Sequence, residues 1–319
     1  MDLARHLRRE GIFIDAIAEL DARHVDRPVF TGELDGQPVV LKHYSGPHAN
    51  ASAQVAHEVA TALWTSSFGA TREPPGLPRP VVLAAATGVA VAERLDGPML
   101  GARGDLGGAL THAAEAAHLL ADLHTVWLQP LDGITIRERS MSALIRSLRR
   151  KVADLEHPDM AEVAEVAEVA ATVVDRIERD APPTAVLVPT HGDFTPRNLV
   201  VTPRGLRMLD LDRVRLAAPD RDVGYWRAWC WATQLLAGDE PSWTATEPFV
   251  DAYHACLPPR VGASDGSSPH YVAAALLRIV HGWSALRSRP DLQLVLAREA
   301  LAAVADPMSR RSLIDVSSS

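Results

Sequence analysis

Cysteine is scarce in this sequence of 319 residues, and its two thiols, Cys230 and Cys256, are too few for a disulfide framework or a metal-binding spacing. We expect both to be core thiols of a protein in a reducing compartment. Basic residues are fewer than acidic ones, with 32 Lys and Arg against 40 Asp and Glu. The formal net charge of −8 argues against a nucleic acid as a main partner, because phosphate contacts require Lys and Arg. A cationic partner fits this charge only weakly, since the sequence does not localise it.

Long apolar segments are absent as well. No run approaches the roughly 18 apolar residues of a membrane-spanning helix, and the start of the chain lacks the apolar stretch of a signal peptide. We therefore expect a cytoplasmic protein without a membrane partner. The hydrophobic content of 47% is enough for the core of one large or two modest domains.

The first clear structural pattern lies in residues 28–44. Two β-prone runs flank Asp35-Gly36, and Asp-Gly between such runs is the strongest short hairpin signal. The sequence therefore predicts an antiparallel strand pair, with Lys42 at the end of the second strand.

Around this hairpin, residues 1–20 have apolar positions at helical spacing and predict a helix, with a break at Gly11 left open. Residues 52–66 predict a second helix, and residues 80–84 and 88–93 predict two strands. The expected buried stripe of the second helix consists of Val55, Val59, Ala62 and Leu63.

From about residue 98 onward the patterns are mostly helical, over residues 106–128, 141–179 and 224–306. Within the second of these, the Ala/Glu near-repeat at residues 161–170 predicts a solvent-facing helix, and His124 is expected to be buried and hydrogen-bonded. The Trp residues of the last region are expected to fill the core: Trp226, Trp229, Trp231, Trp243 and Trp283.

The chemically informative stretch is residues 190–201, which is polar in the middle and has apolar flanks. Asp193 follows a His-Gly pair, Asn198 lies five residues later, and Asp210 ends another apolar run. Phosphoryl transfer from a nucleotide needs one carboxylate to accept a hydroxyl proton, and an amide and a second carboxylate to hold Mg²⁺. The simpler alternative is a loop whose Asp and Asn residues cap turns, but the order, spacing and flanks together favour phosphoryl transfer.

This string, His191-Gly192-Asp193 with Asn198 and then Leu209-Asp210, resembles the signature of the aminoglycoside phosphotransferase family. Relatives of that family include choline, homoserine and methylthioribose kinases and macrolide phosphotransferases. The resemblance implies an α+β, bilobal protein-kinase-like fold, with a small antiparallel-sheet N-lobe and a mostly helical C-lobe. We expect the N-lobe at residues 1–95, the C-lobe at 96–308 and a disordered tail at 309–319.

The resemblance also implies the site. Asp193 is the expected catalytic base, and Asn198 and Asp210 are the expected magnesium ligands. The Val-Val-Leu-Lys sequence ending at Lys42 is similar to the kinase strand whose lysine holds phosphates. The residues assigned to nucleotide binding are Lys42, Glu58, Glu93, Arg94, Leu95, His191 and Arg197.

Within that set, Glu58 is expected to pair with Lys42, and the backbone of Glu93 through Leu95 to contact the purine. Arg197 points either to a phosphate, to the substrate or to solvent. The segment before the hairpin lacks glycine, so a Gly-rich phosphate-covering loop is missing.

Two further acidic residues have expected roles. Asp222 lies in the sequence Pro219-Asp220-Arg221-Asp222, where the family often has Pro-x-x-Asp, and is expected to cap a helix and brace the catalytic loop through backbone N–H groups. Asp212 lies either near the magnesium or substrate, or on the surface beside an arginine.

The resemblance thus implies an Mg²⁺-dependent kinase that transfers the γ-phosphoryl of ATP or GTP to a hydroxyl of a small molecule, an antibiotic or a metabolite. Two alternatives stay open. One is a kinase for Ser or Thr of a peptide in natural-product biosynthesis, with or without a partner protein. The other is a nucleotide-binding pseudokinase scaffold.

Overall fold

The computed structural model describes residues 3–21, 28–126, 138–155, 161–181, 186–258, 261 and 268–305. The chain forms two compact units. The first, here called the sheet unit, contains Met1–Leu100, Val126–Ile136 and Arg197–Val214; the second, the helical unit, contains Gly101–Thr125, Arg137–Pro196 and Arg215–Ser319.

The segment Arg197–Val214 belongs to the sheet unit although it lies late in the sequence. Backbone hydrogen bonds join it there, from Leu100 N to Leu199 O and from Met208 N to Gly76 O, each at 2.8 Å. The single boundary expected after residue 95 stays a prediction. The expected tail at 309–319 lies outside the described residues.

The sheet unit is built on a five-stranded antiparallel sheet with the strand order β1-β2-β3-β5-β4. Its strands are β1 (Asp15–Asp21), β2 (Val29–Leu34), β3 (Gln37–His43), β4 (Pro80–Ala84) and β5 (Val89–Glu93). The predicted strands at 80–84 and 88–93 are therefore confirmed.

The predicted hairpin is present as β2 and β3, with Leu34 opposite Gln37. Asp35 and Gly36 have φ values of 52° and 72°, the left-handed pair that a two-residue hairpin turn of the right twist requires. Along β3, Val39 and Leu41 are buried in the core of this unit. Because side chains alternate along a strand, Lys42 lies on the opposite face.

The prediction of a helix over residues 1–20 is wrong in its second half. The helix α1 covers only Leu3–Arg9, and Gly11 follows with a φ of 77°. Residues 15–21 form β1, which pairs with β2, and Ile14 is buried just before this strand. Pairing with the hairpin edge thus outweighs the helical spacing of the isoleucines.

The helix α2 covers Ala49–Thr65, as predicted, but its buried face is rotated from the expected one. Val55 is 43% exposed, whereas Ala53 and Ala56 are buried together with Val59. Small residues on this face allow the helix to pack closely on the sheet.

The helical unit contains α3 (Leu106–Thr111), α4 (Ala113–Thr125), α5 (Met141–Ala153), α6 (Ala161–Asp180), α7 (Asp220–Ala237), α8 (Glu247–Cys256), α9 (Ser268–Gly282) and α10 (Pro290–Ala305). A short strand β6 (Val188–Thr190) pairs antiparallel with β9 (Arg215–Ala217) in this unit. The strands β7 (Leu199–Thr202) and β8 (Gly205–Met208) form a separate hairpin in the sheet unit.

The core of the helical unit lies among α5, α6, α7, α9 and α10. The expectation that residues 161–170 face solvent is wrong for one side of α6, because Val166 and Ala170 are buried there. Glu165 and Glu168 are exposed on the other side. The Ala/Glu near-repeat therefore encodes an amphipathic helix, whose apolar stripe becomes evident only when the whole helix is considered.

Aromatic and sulfur-containing residues divide between core and surface. Trp226, Trp229 and Trp231 are buried, which confirms their core assignment. Cys230 is buried beside them, but Cys256 is exposed near the end of α8, so the expectation of two core thiols is wrong for the second.

Across the described parts of the chain, no helix is long and apolar enough to cross a membrane.

Candidate active site

The loop that carries Asp193 begins where β6 ends, at Thr190. Gly192 has a φ of 78°, a conformation that glycine adopts without strain. Phe194 is fully buried against Trp226 and Phe249. A left-handed turn before Asp193 and a buried aromatic anchor after it thus hold the carboxylate at the surface of the helical unit, with 20% of its side chain exposed.

The loop is braced from α7 by Asp222. Its Oδ2 accepts the N–H of His191 at 2.6 Å, and its Oδ1 accepts the N–H of Gly192 at 2.7 Å. This confirms the predicted bracing of the loop. The structure records no side-chain cap at the first residue of α7, so the capping role is not observed.

A buried hydrogen-bonded chain supports Asp222 from behind. His124 contacts Asp222 Oδ2 through Nε2 at 3.2 Å, and its Nδ1 lies 2.6 Å from the hydroxyl of Tyr253. His124 is thus buried and hydrogen-bonded, as expected. Burial alone would raise the pKa of Asp222, but the hydrogen bond from His124 and nearby positive charge outweigh it, so the pKa lies below its usual value.

Arg278, which no sequence pattern predicts as a site residue, lies on α9, 85 residues from Asp193 in the chain. Its Nη2 lies 3.4 Å from Asp193 Oδ1 and 3.3 Å from the carbonyl oxygen of Gly192, to which it donates. The guanidinium also stacks over the ring of Tyr225, 4.1 Å from the centroid. No local motif marks this arginine, because its role depends on how α9 packs against α7.

In the sheet unit, the β7–β8 hairpin brings the two expected metal ligands to one end. Leu199 pairs with Met208, and the N–H of Leu209 donates to the carbonyl oxygen of Asn198 at 2.8 Å. Asn198 precedes the first strand and Asp210 follows the second, so antiparallel pairing places both at the open end of the hairpin. Asp210 has a φ of 59°, a left-handed conformation that Asp tolerates better than most residues.

Lys42 lies at the same place. Its Nζ is 2.6 Å from Asp210 Oδ1 and 2.6 Å from Asp212 Oδ2. The second oxygen of Asp212 accepts the hydroxyl of Tyr44 at 2.7 Å. Burial would lower the pKa of Lys42, but the two carboxylates outweigh it and raise the pKa, so the ammonium stays charged. Asp212 is therefore part of this cluster and not a surface partner of an arginine alone.

The expected pairing of Lys42 with Glu58 is not observed. Glu58 lies on α2 and accepts a hydrogen bond from Gln54, one turn earlier, at 2.8 Å. The ion pairs of Lys42 go to the two aspartates instead. Two carboxylates at 2.6 Å neutralise the ammonium, so no third partner is needed in this state.

The connector after β5 was expected to present backbone groups to a purine. The N–H of Glu93 donates to Arg79 O and the N–H of Arg94 donates to Pro38 O. Among the described residues, the N–H of Leu95 has no acceptor. Gly97 follows with a φ of 145°, where a Cβ would meet the carbonyl oxygen of Val201 at 2.0 Å. Of the backbone N–H groups of Glu93, Arg94 and Leu95, the one of Leu95 is therefore available to a ligand, as far as the described residues show.

Two more predicted nucleotide-binding residues differ in exposure. His191 has no exposed surface, and its Nδ1 accepts the N–H of Asp193 at 3.2 Å. Its ring therefore supports the loop from within, and its expected part in nucleotide binding stays a prediction. Arg197 is exposed, at the start of the segment that joins the sheet unit.

The side chains of Asn198, Asp210 and Asp212 carry oxygen atoms, which are the ligand type that Mg²⁺ prefers. This ion commonly takes one or two carboxylates and completes its octahedral shell with water and substrate phosphates. Asp210 keeps 37% of its side chain exposed, which leaves room for such ligands. In the described part of the chain, this cluster included, no group of three His, Cys, Asp or Glu side chains is placed to hold a metal.

A family model described as the phosphotransferase enzyme family matches residues 17–253, well over half of the chain. The chain belongs to this family. The match includes Lys42, Asp193, Asn198 and Asp210, so the predicted family and the assignment as a phosphotransferase are confirmed. A search of curated protein sequences found no match.

Solved structures with the same fold include kinases for different small molecules. The phosphotransferase is similar to choline kinase LicA from Streptococcus pneumoniae, with 13% identity, a TM-score of 0.60, and coverage of 94% of this chain and 96% of the other. It is also similar to macrolide 2′-phosphotransferase MphH from Brachybacterium faecium, with 19% identity, a TM-score of 0.58, and coverage of 95% and 96%.

A third similar structure is spectinomycin phosphotransferase APH(9)-Ia in complex with ADP and spectinomycin. Its identity is 11%, its TM-score 0.57, and the coverage is 96% of this chain and 97% of the other. At these identities the likeness establishes the fold. It confirms the predicted α+β kinase-like architecture of the phosphotransferase, with an antiparallel sheet in one unit and helices in the other.

Proposed function

We propose that this phosphotransferase transfers the γ-phosphoryl group of ATP, or of GTP, to a hydroxyl of a small molecule. The observation that carries the proposal is the braced loop of Asp193, which presents a partly exposed carboxylate on a rigid backbone. Similar structures with ADP and with AMP bound support a nucleotide as the donor.

Asp193 acts as the base. Its carboxylate accepts the proton of the acceptor hydroxyl as the oxygen forms a bond to the γ-phosphorus, and the bond from that phosphorus to the bridging oxygen breaks to release the nucleoside diphosphate. The Asp193 carboxylate suits this role because the loop that carries it is held at two points. Asp222 accepts two backbone N–H groups of the loop, and the side chain of Phe194 is buried.

The cluster at Lys42 serves the phosphates. Asn198 and Asp210, with Asp212 beside them, would hold Mg²⁺, which neutralises charge on the transferred phosphoryl group. The ammonium of Lys42 forms ion pairs with both Asp210 and Asp212. When nucleotide binds, Lys42 exchanges one or both carboxylates for phosphate oxygens. The N–H of Leu95 is the open backbone donor for the base of the nucleotide.

The acceptor is a small molecule with a hydroxyl group. The structural neighbours are named as kinases of choline and as phosphotransferases of macrolides and spectinomycin. An antibiotic or a metabolite alcohol therefore belongs in any screen of acceptors. Peptides containing Ser or Thr belong there too, because acceptor-binding residues leave no motif in the helical region.

The test is release of ADP from ATP, and of GDP from GTP, with and without Mg²⁺, across aminoglycosides, macrolides, amino alcohols, hydroxy acids and Ser/Thr peptides. Asp210→Ala is the control that removes a proposed metal ligand. Stimulation by one acceptor class that is lost in Asp210→Ala supports the proposal. If nucleotide binds with Mg²⁺ but no acceptor is phosphorylated, the scaffold alternative is favoured; if no nucleotide binds, the proposal is wrong.

A further inference from the structure

Arg221, in the first turn of α7, is a buried cation that forms no salt bridge with any described residue. It is 8% exposed, and its Nε and Nη1 are buried without hydrogen-bond partners. No described residue makes a salt bridge or hydrogen bond with this guanidinium. Burying an unpaired charge destabilises a protein, so a residue of this kind calls for a functional explanation.

Arg221 lies one helical turn before Tyr225 on α7, and Arg278, which contacts Asp193, stacks over the ring of Tyr225. Arg278, which contacts Asp193 Oδ1 at 3.4 Å, lowers the pKa of Arg221 electrostatically. Burial is the larger cause, and together the effects lower the pKa of Arg221 to about 10. The positive charge of Arg139 lowers this pKa further. All of these residues belong to the helical unit.

The nearby carboxylates do not pair with Arg221. Both oxygens of Asp222 accept backbone N–H groups of the catalytic loop, and Oδ2 also contacts His124. Asp193 contacts Arg278 at the long distance of 3.4 Å. Among the described residues, neither carboxylate forms a salt bridge with Arg221.

This arrangement has the chemistry of an oxyanion site. A guanidinium presents a planar fork of N–H donors that matches a carboxylate or a phosphate. Arg278 is fixed over Tyr225 and keeps 15% of its side chain exposed, which gives solvent and ligands access at that end. A cationic acceptor would meet two like charges here, and such a contact is unfavourable.

We propose that Arg221 and Arg278 bind a carboxylate or phosphate group of the acceptor, whose hydroxyl is then presented to Asp193. This inference rests on the proposed function, because it names the class of acceptor for the same base. The acceptor is an anionic alcohol: a hydroxy acid or a phosphorylated polyol. The anion also draws Arg278 away from Asp193, so the base becomes available as the acceptor arrives.

The first experiment measures binding of simple oxyanions to the Mg-ADP-saturated protein by calorimetry. The probes are malonate for carboxylates and orthophosphate for phosphates, so the two sources are told apart. We expect saturable binding of at least one probe, weakened at least about tenfold in Arg221→Met and in Arg278→Met. Arg298→Met is the matched control, because Arg298 is an exposed arginine of α10 paired with Glu165; it should bind like the wild type.

The second experiment measures the thermal midpoint of the same variants. Methionine replaces a buried unpaired charge by an apolar chain of similar length, so Arg221→Met should melt at or above the wild-type temperature. Arg221→Lys, which keeps the charge, should keep part of the oxyanion binding. If both variants melt well below the wild type and bind the probes normally, Arg221 is structural and the inference is overturned.

The third experiment compares acceptors in matched pairs, with release of ADP as the readout: glycerate and glycerol 3-phosphate against glycerol, and gluconate against glucose, with choline and kanamycin as cationic members. We expect a charged member to have the lower KM, and that advantage to disappear in Arg221→Met. Turnover of a neutral or cationic acceptor with an unchanged KM in Arg221→Met overturns the anionic class while the proposed function stands.

The affinity for Mg-ATP distinguishes a wrong acceptor assignment from a wrong proposed function. If Arg221→Met weakens Mg-ATP as much as it weakens the oxyanions, the arginines bind nucleotide phosphates and the acceptor assignment is overturned. If the wild type binds no Mg-ATP, the proposed function itself is wrong and the acceptor assignment falls with it. Oxyanion binding that depends on Arg221, with Mg-ATP affinity intact, supports the inference.

Discussion

Oδ1 of Asp222 accepts the N–H of Gly192 at 2.7 Å, across 30 residues of sequence. The other oxygen accepts the N–H of His191. The residue before Asp193 is thus held by a carboxylate in the first turn of α7, and the position of the proposed base depends on that contact.

Asp222→Asn should therefore disturb both stability and transfer. The amide group can accept through only one atom, so one backbone N–H of the loop loses its partner inside the protein. We expect a loss of about 2–3 kcal/mol in the free energy of unfolding, measured by urea unfolding with Trp fluorescence. ADP release should fall as the loop loses its fixed conformation.

Asp251→Asn is the matched control for this variant, because Asp251 is exposed on α8. It should be within about 0.5 kcal/mol of the wild type. Equal stability of the two variants would mean that the brace contributes nothing.

The pKa of Asp222 predicts a dependence of stability on acid. Because the folded-state pKa is below the usual value, the stabilisation is fully present above the unfolded pKa of about 3.9 and is lost as the pH falls through the folded pKa. The difference in unfolding free energy between wild type and Asp222→Asn should thus be constant from neutral pH to about pH 5 and shrink below about pH 4. A difference that is unchanged at pH 3 would contradict this.

Asp193→Asn tests the base. The amide cannot accept the hydroxyl proton, so we expect transfer to slow by about 10² to 10⁴-fold, while Mg-ATP still binds, because the phosphate-binding residues are retained. Initial rates of ADP release and calorimetric titration of nucleotide measure the two effects. Asp239→Asn, an exposed carboxylate after α7, is the control. Turnover near the wild-type rate in Asp193→Asn would exclude this residue as the base.

Lys42→Met tests the exchange of an ammonium for Mg²⁺. Without Lys42, Asp210 and Asp212 lose the ammonium that they share, and repulsion between the two like charges destabilises the protein by about 1 kcal/mol or more at this range. Mg²⁺ without nucleotide should then raise the thermal midpoint of Lys42→Met more than that of the wild type, because the ion no longer competes with the ammonium. Activity should fall, since the phosphates lose their cation.

The chain contains one other lysine, Lys151 in α5, and Lys151→Met is the control for loss of a lysine charge. It should respond to Mg²⁺ as the wild type does. An identical response in Lys42→Met would show that the ion and Lys42 do not share these oxygens.

The two thiols should differ in reactivity. Burial raises the pKa of Cys230 to about 12 and removes it from solvent, whereas Cys256 is exposed. Titration of the native protein with a disulfide reagent should modify one thiol, and denaturation should release the second. Cys256→Ser should then show no native reaction. Two thiols reacting at the same rate in the native wild type would contradict the burial of Cys230.

Local patterns predicted local structure well. The Asp35-Gly36 turn and the strands around it follow from residues adjacent in the sequence, and so does the helix that contains Val59. Predictions failed where a distant partner decided the outcome. Ile14 and Ile17 have helical spacing, but pairing with β2 makes this segment a strand. Val55 was expected in the core, yet the sheet packs on the face of Ala53 and Ala56.

In the candidate site, too, residues close in the sequence were predicted and partners distant in the sequence were not. Asp193, Asn198 and Asp210 are recognisable from spacing because one loop and one hairpin carry them, and the kinase-like family follows from that string. The bracing by Asp222 was also predicted, from its place in a motif. The partners of Lys42 were not, since Asp210 and Asp212 lie 168 and 170 residues away from it.

The sequence by itself therefore determined the family and the type of reaction, because these are encoded in short segments with fixed spacing. Only the tertiary structure decided that Lys42 pairs with two aspartates, and that Arg278 lies beside Asp193. The physical reason is that charge partners come from helices and strands far apart in the chain, and their proximity depends on packing of apolar faces that no motif records.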